Sequence, residues 1–149
     1  MARQIADLCE LASPVVRLAG GALISDLSLQ DNVMLEPALF DGAVPAYLWP
    51  EMDSLFALAG CAVDWPGWAA TLPADAPEAA LMQVRIGRAL VADPDLLLLD
   101  AAQWNDECIA PLAFSRAFAS RYPWRMLVWV TADAARADAL RTILEELTA

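Results

Sequence analysis

Few side chains in this chain have chemistry to offer. Asp100 closes the stretch Leu81 to Asp100, LMQVRIGRALVADPDLLLLD, and Asp106 and Glu107 follow in the polar interval after it. Carboxylates grouped in this way can hold a divalent cation or move a proton. The partners for such work are missing, because the chain has no histidine and all nine of its basic residues are arginines. With no histidine or lysine and no clear nucleophile–base pair, a new catalytic site built on these acids is disfavoured. Cys9, Cys61 and Cys108 are odd in number and far apart. They do not suggest a zinc site and read as reduced, mostly buried thiols of a cytoplasmic protein.

These residues depend on elements that the pattern makes legible. Leu81 to Val91 has helical periodicity, Asp93-Pro94-Asp95 is a turn, and four leucines follow as a strand apolar on both faces, the mark of a parallel sheet. An aspartate at the carboxyl end of such a strand stands where open α/β sheets bind ligands. Upstream, residues 2–11 put Ile5, Leu8, Cys9 and Leu11 near one helical face, and Ser13-Pro14 ends that run. A strand is expected near 15–18. Asp31-Asn32 reads as the cap of a short helix stopped by Pro37. Residues 41–50 read as a turn-rich connection, Pro50 as the opening of a helix over 51–59 closed by Gly60, and 63–77 as irregular. Pro77 and Glu78 suit the first turn of the long helix. Beyond Asp100 a helix is expected over 111–121, a second buried strand over 126–131 (MLVWVT), and a helix from Asp133.

Length and charge set the bounds. A chain of 149 residues is one domain by prior. Its 59% apolar content is high, yet no window reaches the roughly 18 uninterrupted apolar residues of a membrane span. Its start carries no signal-peptide run. Net charge is −11, and no positive residue lies between Arg17 and Arg85. That balance disfavours nucleic acid and anionic lipid as partners.

Taken in order, these pieces resemble the second half of an ATP-binding cassette, the ATPase domain of ABC transporters. The similarity is greatest to the cassettes of bacterial phospholipid-transport systems of the Mla/Mce type. GALISDLSLQDNVMLEPAL resembles the segment after the family's Q-loop, QVRIGRALVADPDLLLLD the block holding the Walker B strand, and LVWVTAD the strand ending in the H-loop. The resemblance covers roughly Leu18 to Asp133. It implies an α/β, partial ABC-ATPase-like fold, with a small, mainly parallel sheet and flanking helices. A helical subdomain would span about 22–95, and a remnant of the Walker B/H-loop core 96–149.

The departures from the family pattern are as informative as the matches. A Walker A loop needs a lysine, and this chain has none, so the resemblance implies that the P-loop half is missing. Laid on the family pattern, the Q-loop glutamine falls at Ala19. The signature falls at Ala76, Pro77, Glu78 and Ala79, the catalytic glutamate at Ala101, and the H-loop histidine at Ala132. The D-loop aspartate falls near Glu107. Asp100 is then a vestigial Walker B carboxylate, expected to cap its strand end. No catalytic residue, cofactor or metal is expected, and Arg88 is expected to be structural. Gly87, which weakens a helix, is expected to be justified by close packing.

The resemblance also places Tyr47, Leu48, Trp49, Trp65 and Trp68 in the subdomain that receives the permease. With Leu23, Ile24 and Asn32 they are candidate partner contacts, and core filling is the competing reading. A sheet lacking its first strands would leave an edge or face to be covered by the N-terminal helix, another protein or a second copy. The expectation is a non-catalytic accessory subunit of a bacterial ABC-type lipid transport system. It would bind the permease or the active ATPase from the cytoplasmic side of the inner membrane, without insertion of its own. The alternative is a free-standing soluble regulator that reuses half a cassette.

Overall fold

The computed structural model describes residues 14–39 and 46–147. The expected helix over 2–11 and the 41–45 part of the expected connection lie outside these. Among the described residues three strands form one parallel sheet in the order β1 (Val16–Ala19), β2 (Leu96–Asp100) and β3 (Met126–Val130). The strands lie where they were expected, except that β1 takes in Ala19 and β3 stops at Val130. The α/β class with a small parallel sheet and flanking helices holds.

Among the described residues six helices flank the sheet: α1 (Leu29–Leu39), α2 (Leu48–Leu58), the single turn α3 (Trp65–Trp68), α4 (Glu78–Leu90), α5 (Pro111–Arg121) and α6 (Ala134–Glu145). Helix α1 corrects one expectation. It begins at Leu29 and runs to Leu39 past Pro37, and its first turn is closed by the Ser28 hydroxyl, which accepts from Asp31 N at 3.1 Å. The next two residues of the turn, Leu29 and Gln30, donate their amides to the carbonyls of Thr71 and Ala69 at 2.9 Å each. Long-range carbonyls therefore do part of the capping work, and a local pattern does not contain them. Helix α2 begins two residues ahead of Pro50. It ends as expected, with Gly60 at φ +86, Cys61 N donating to Phe56 O and Gly60 N to Ala57 O. This paired 6→1 and 5→2 closure needs a left-handed residue just past the helix. Within the stretch expected to be irregular, Pro66 and Pro73 start α3 and a 3₁₀ turn over Pro73–Asp75.

The core lies between one face of the sheet and α1, α2, α4 and α5. Period two and in-register pairing put Arg17, Ala19, Leu97, Leu99, Leu127 and Trp129 on that face. Ala19, Leu97 and Leu99 are buried there, and Leu127 and Trp129 pack against the same cluster. Helix α5 contributes Phe114 and Phe118, whose rings stand 6.2 Å apart, and Trp104 closes on Phe114 at 4.9 Å and on Trp129 at 4.9 Å. Trp129 Nε1 donates to Ser115 Oγ at 3.0 Å and Trp104 Nε1 to Ile109 O at 2.8 Å, so both indoles are satisfied.

The opposite face carries Val16, Leu18, Leu96, Leu98, Met126, Val128 and Val130, none of which belongs to the core cluster. Val16 is 40% exposed and Leu18 53%. Helix α6 stands beside β3 and packs on α5, leaving a groove of about 640 Å³ between itself and the strand.

Candidate functional site

The carboxyl end of β2 carries Asp100, and the backbone there is tightly tied. Asp100 Oδ1 accepts from Ala102 N at 2.9 Å and Oδ2 from Gln103 Nε2 at 2.9 Å. The carboxylate thus caps the 3₁₀ turn Ala101–Gln103 and satisfies an amide that the turn would otherwise leave unpaired. On its other side Asp100 meets the backbone of Gly20, where an added Cβ would come within 3.1 Å of Asp100 Cβ. Gly21 follows at φ +81, which turns the chain away from β1. Arg88, on α4, holds that turn: Nη2 donates to Gly20 O at 2.7 Å and Nη1 to Ala22 O at 3.2 Å. Burial, and after it the neighbouring Arg85 charge, lowers the Arg88 pKa from its usual value. The structural role expected for Arg88 is the one its contacts describe.

Beyond the strand end opens a cleft of about 660 Å³, lined by Glu78, Arg85, Arg136 and the segment Ala101–Glu107. Its charges are paired across the site. Arg85 Nη1 donates to Glu78 Oε1 at 3.2 Å, from the middle of α4 back to its first turn. Arg136 forks onto Asp106, with Nη1 donating to Oδ2 at 2.7 Å and Nη2 to Oδ1. That hydrogen bond raises the Arg136 pKa, outweighing the opposing effect of burial. Arg85 Nε is buried without a hydrogen-bond partner. The pairing leaves Glu107 as the carboxylate lining the cleft without an arginine opposite it in these contacts, and Glu107 N caps back onto Asn105 Oδ1 at 3.0 Å.

The structure brings only some of the singled-out positions together. Glu78 and Ala101 line the cleft, and Ala19 and Asp100 line a smaller cavity that shares Arg85, Gln103 and Trp104 with it. Ala76, Pro77, Ala79 and Ala132 are not among the lining residues. Ala132 is exposed at the end of β3, ahead of Asp133, whose carboxylate accepts from Ala135 N at 2.9 Å and caps α6. Arg85, Gln103 and Arg136 were not singled out for this site. Only Gln103, three residues after Asp100, carried a local signal; the Asp106–Arg136 pair spans 30 residues.

Asp100 has both oxygens engaged by in-chain donors, and the chain has no lysine to neutralise a phosphate. Both arginines of the cleft are already bound to carboxylates. Among the described residues no cluster of three or more His, Cys, Asp or Glu side chains suits a metal ion.

The expected partner contacts separate into two groups. Asn32 is 0% exposed, Leu48 3% and Trp65 4%, which corrects their assignment to a docking surface. Trp65 stacks on Trp49 with ring centroids 4.3 Å apart, and Leu23, Trp49 and Trp68 also pack against the core. Large side chains here fill the space between short helices. Tyr47, 60% exposed, and Ile24, 48% exposed, remain at the surface. Asn32 serves the fold instead. Its Oδ1 accepts from Ile24 N at 2.8 Å, and its Nδ2 donates to the carbonyls of Ile24, Leu27 and Ser28 at 3.0 to 3.1 Å. One buried amide pins the loop from β1 into α1.

No protein-family model matches the chain, and no curated protein matches it in sequence. Solved structures do match. Over 83% of its length the chain is similar to the dimeric, post-hydrolysis state of the ATP-binding cassette MJ0796 bound to ADP and Pi, with a TM-score of 0.52 and 19% identity. Over 84% it is similar to the dimeric structure of MJ0796, a bacterial ABC transporter cassette, with a TM-score of 0.54 and 18% identity. It spans 55% of each of those chains. Identity at this level speaks to the fold: the chain is built like part of an ABC transporter cassette. Among the described residues no helix is long and apolar enough to cross a membrane.

Proposed function

From the cassette-like fold we propose that this protein is a non-catalytic, ATPase-like accessory subunit of a bacterial ABC-type lipid transport system. It binds the permease, the active ATPase or both, from the cytoplasmic face of the inner membrane, and does not hydrolyse ATP. The observation that carries the reading is the state of Asp100. In an ATPase a carboxylate at this strand end must be available to a magnesium ion, which binds through one or two carboxylates and substrate phosphates. Here each of its oxygens already accepts a hydrogen bond that caps the following turn, Oδ1 from Ala102 N and Oδ2 from Gln103 Nε2. Ala101 and Ala132 carry methyl groups where the resemblance places a base and a histidine. Loss of a positioned base alone removes about 10²-fold or more in rate.

The phospholipid assignment rests on the similarity of residues 21–39 and 83–100 to Mla/Mce-type cassettes. Two measurements test the proposal. Calorimetric titration of the protein with magnesium-ATP gives no binding heat; micromolar binding would overturn it. Affinity purification from the native host recovers an integral membrane permease. Recovery of partners without membrane spans alone would instead favour a free-standing regulator.

A further inference from the structure

Among the described residues the sheet ends at β3, and the outer edge of that strand is open. Strand β3 pairs with β2, and Met126 N donates to Asp95 O at 2.9 Å. Alternation along a parallel ladder then turns the peptide groups of Met126, Val128 and Val130 toward β2 and those of Leu127 and Trp129 outward. No described residue hydrogen-bonds to the outward groups. All five residues of β3 stay partly exposed, whereas β2 buries Leu97 and Leu99.

We propose that this edge takes a strand from a different protein, an uncharged extended segment of roughly four or more residues that continues the ladder between β3 and α6. The edge lacks the features that keep strand edges apart. MLVWV has no charge, proline or glycine, and its register with β2 runs without a bulge. The arginine just ahead of it, Arg125, is held on the β2 side, donating to Pro94 O at 3.0 Å and to the Asp93 carboxylate. Space is present as well. Helix α6 packs on α5, and its Ala137, Leu140 and Leu144 face residues 127–131 across the groove of about 640 Å³. Backbone donors and acceptors at strand spacing are matched by another extended backbone, and a lipid chain or a helix does not match them.

Charge and shape select the donor. A net charge of −11 repels a second copy on approach and attracts a protein of net positive charge. Pairing two copies edge to edge about a two-fold axis normal to the sheet would also set both helix layers on one side, where the second α5 and α6 meet the first α6. A basic protein that offers only a strand meets neither obstacle.

The inference stands apart from the transport reading, and its test uses the full chain. Alone, the chain is expected to sediment as a monomer whose amide exchange, resolved by NMR, is fast at Leu127 and Trp129 and slow at Val128 and Val130. Slow exchange at Leu127 and Trp129 in that monomer would mean that the chain covers its own edge, and in a dimer that a second copy does; either result overturns the proposal. The probe is a synthetic peptide of alternating valine and threonine with lysines at both ends. At millimolar peptide, exchange at Leu127 and Trp129 is expected to slow at least about tenfold, which corresponds to peptide at roughly ten times its Kd. The same peptide N-methylated throughout its strand keeps the charge and the apolar side chains but loses the donors, and is expected to have no effect. No slowing by the first peptide, or equal slowing by both, overturns the proposal.

Discussion

The Tyr122 hydroxyl donates to Glu51 Oε2 at 3.1 Å from inside the core, and Arg121 reaches the other oxygen at 3.1 Å. Burial first, and the Glu51 carboxylate second, push the Tyr122 pKa up to about 12. An unfolded tyrosine loses its proton near pH 10, so between about pH 10 and 12 the folded state holds a proton that the unfolded state has lost. Stability linked to this group is intact below about pH 10 and falls as pH rises through 12, by about 2 kcal/mol. Urea midpoints at about pH 9 and about pH 11 are expected to differ in the native chain, and to differ less in Tyr122→Phe. Asn32 is the other residue on which much depends. Asn32→Ala leaves the Ile24 amide and the Leu27 carbonyl without this partner, while the carbonyls of Ile24 and Ser28 keep the amides of Leu27 and Asn32, and it is expected to cost about 2 to 3 kcal/mol in chemical denaturation. Its identity as a loop pin was not legible, because Asp-Asn ahead of an apolar run reads equally as a helix cap. Asp100 was legible as a strand-end cap, since its acceptor groups need only the two residues that follow Ala101's peptide.

At the scale of elements, the strands were legible because their signals are local: LLLLD and MLVWV are apolar on both faces and bounded by turns. Helix starts were less so. Helix α1 takes its first amide bonds from Ser28, Thr71 and Ala69, and two of those acceptors lie some forty residues away. Gly87 shows the same limit. An added Cβ there would meet Met52 Cε and Trp49 Cζ3 at 3.8 Å and Val33 Cγ1 at 3.9 Å, all ordinary contacts, so close packing does not require the glycine. Gly87→Ala is therefore expected to stabilise the protein by about 0.5 to 1 kcal/mol through helix propensity. Gly60 gives the opposite case. Its surroundings are open but its φ is +86, so Gly60→Ala is expected to cost about 1 kcal/mol for backbone reasons alone. Thermal melts of the two variants, with shifts of opposite sign, check both statements.

For the whole molecule, the sequence conveyed the class and the parallel sheet but not how its faces are used. Periodicity marks β2 as apolar on both sides; it does not say which helices cover which side. In the structure all four large helices of the core lie on the Leu97 and Leu99 side. The aromatic residues expected at a partner surface largely went into that core instead. The sheet also sets the order in which the molecule can assemble. Val16 pairs with Leu96 and Leu96 with Met126, so each strand waits for one far along the chain. Folding is expected to be slow for the size of the domain, since closing long loops precedes any gain from pairing. Pulse-labelled exchange during refolding is expected to protect α4 and α5 amides before those of β1. On the ribosome β1 emerges with its apolar residues bare, and at about 5 to 20 residues per second its partner arrives roughly 4 to 16 seconds later. For that interval the strand is a natural target for a chaperone.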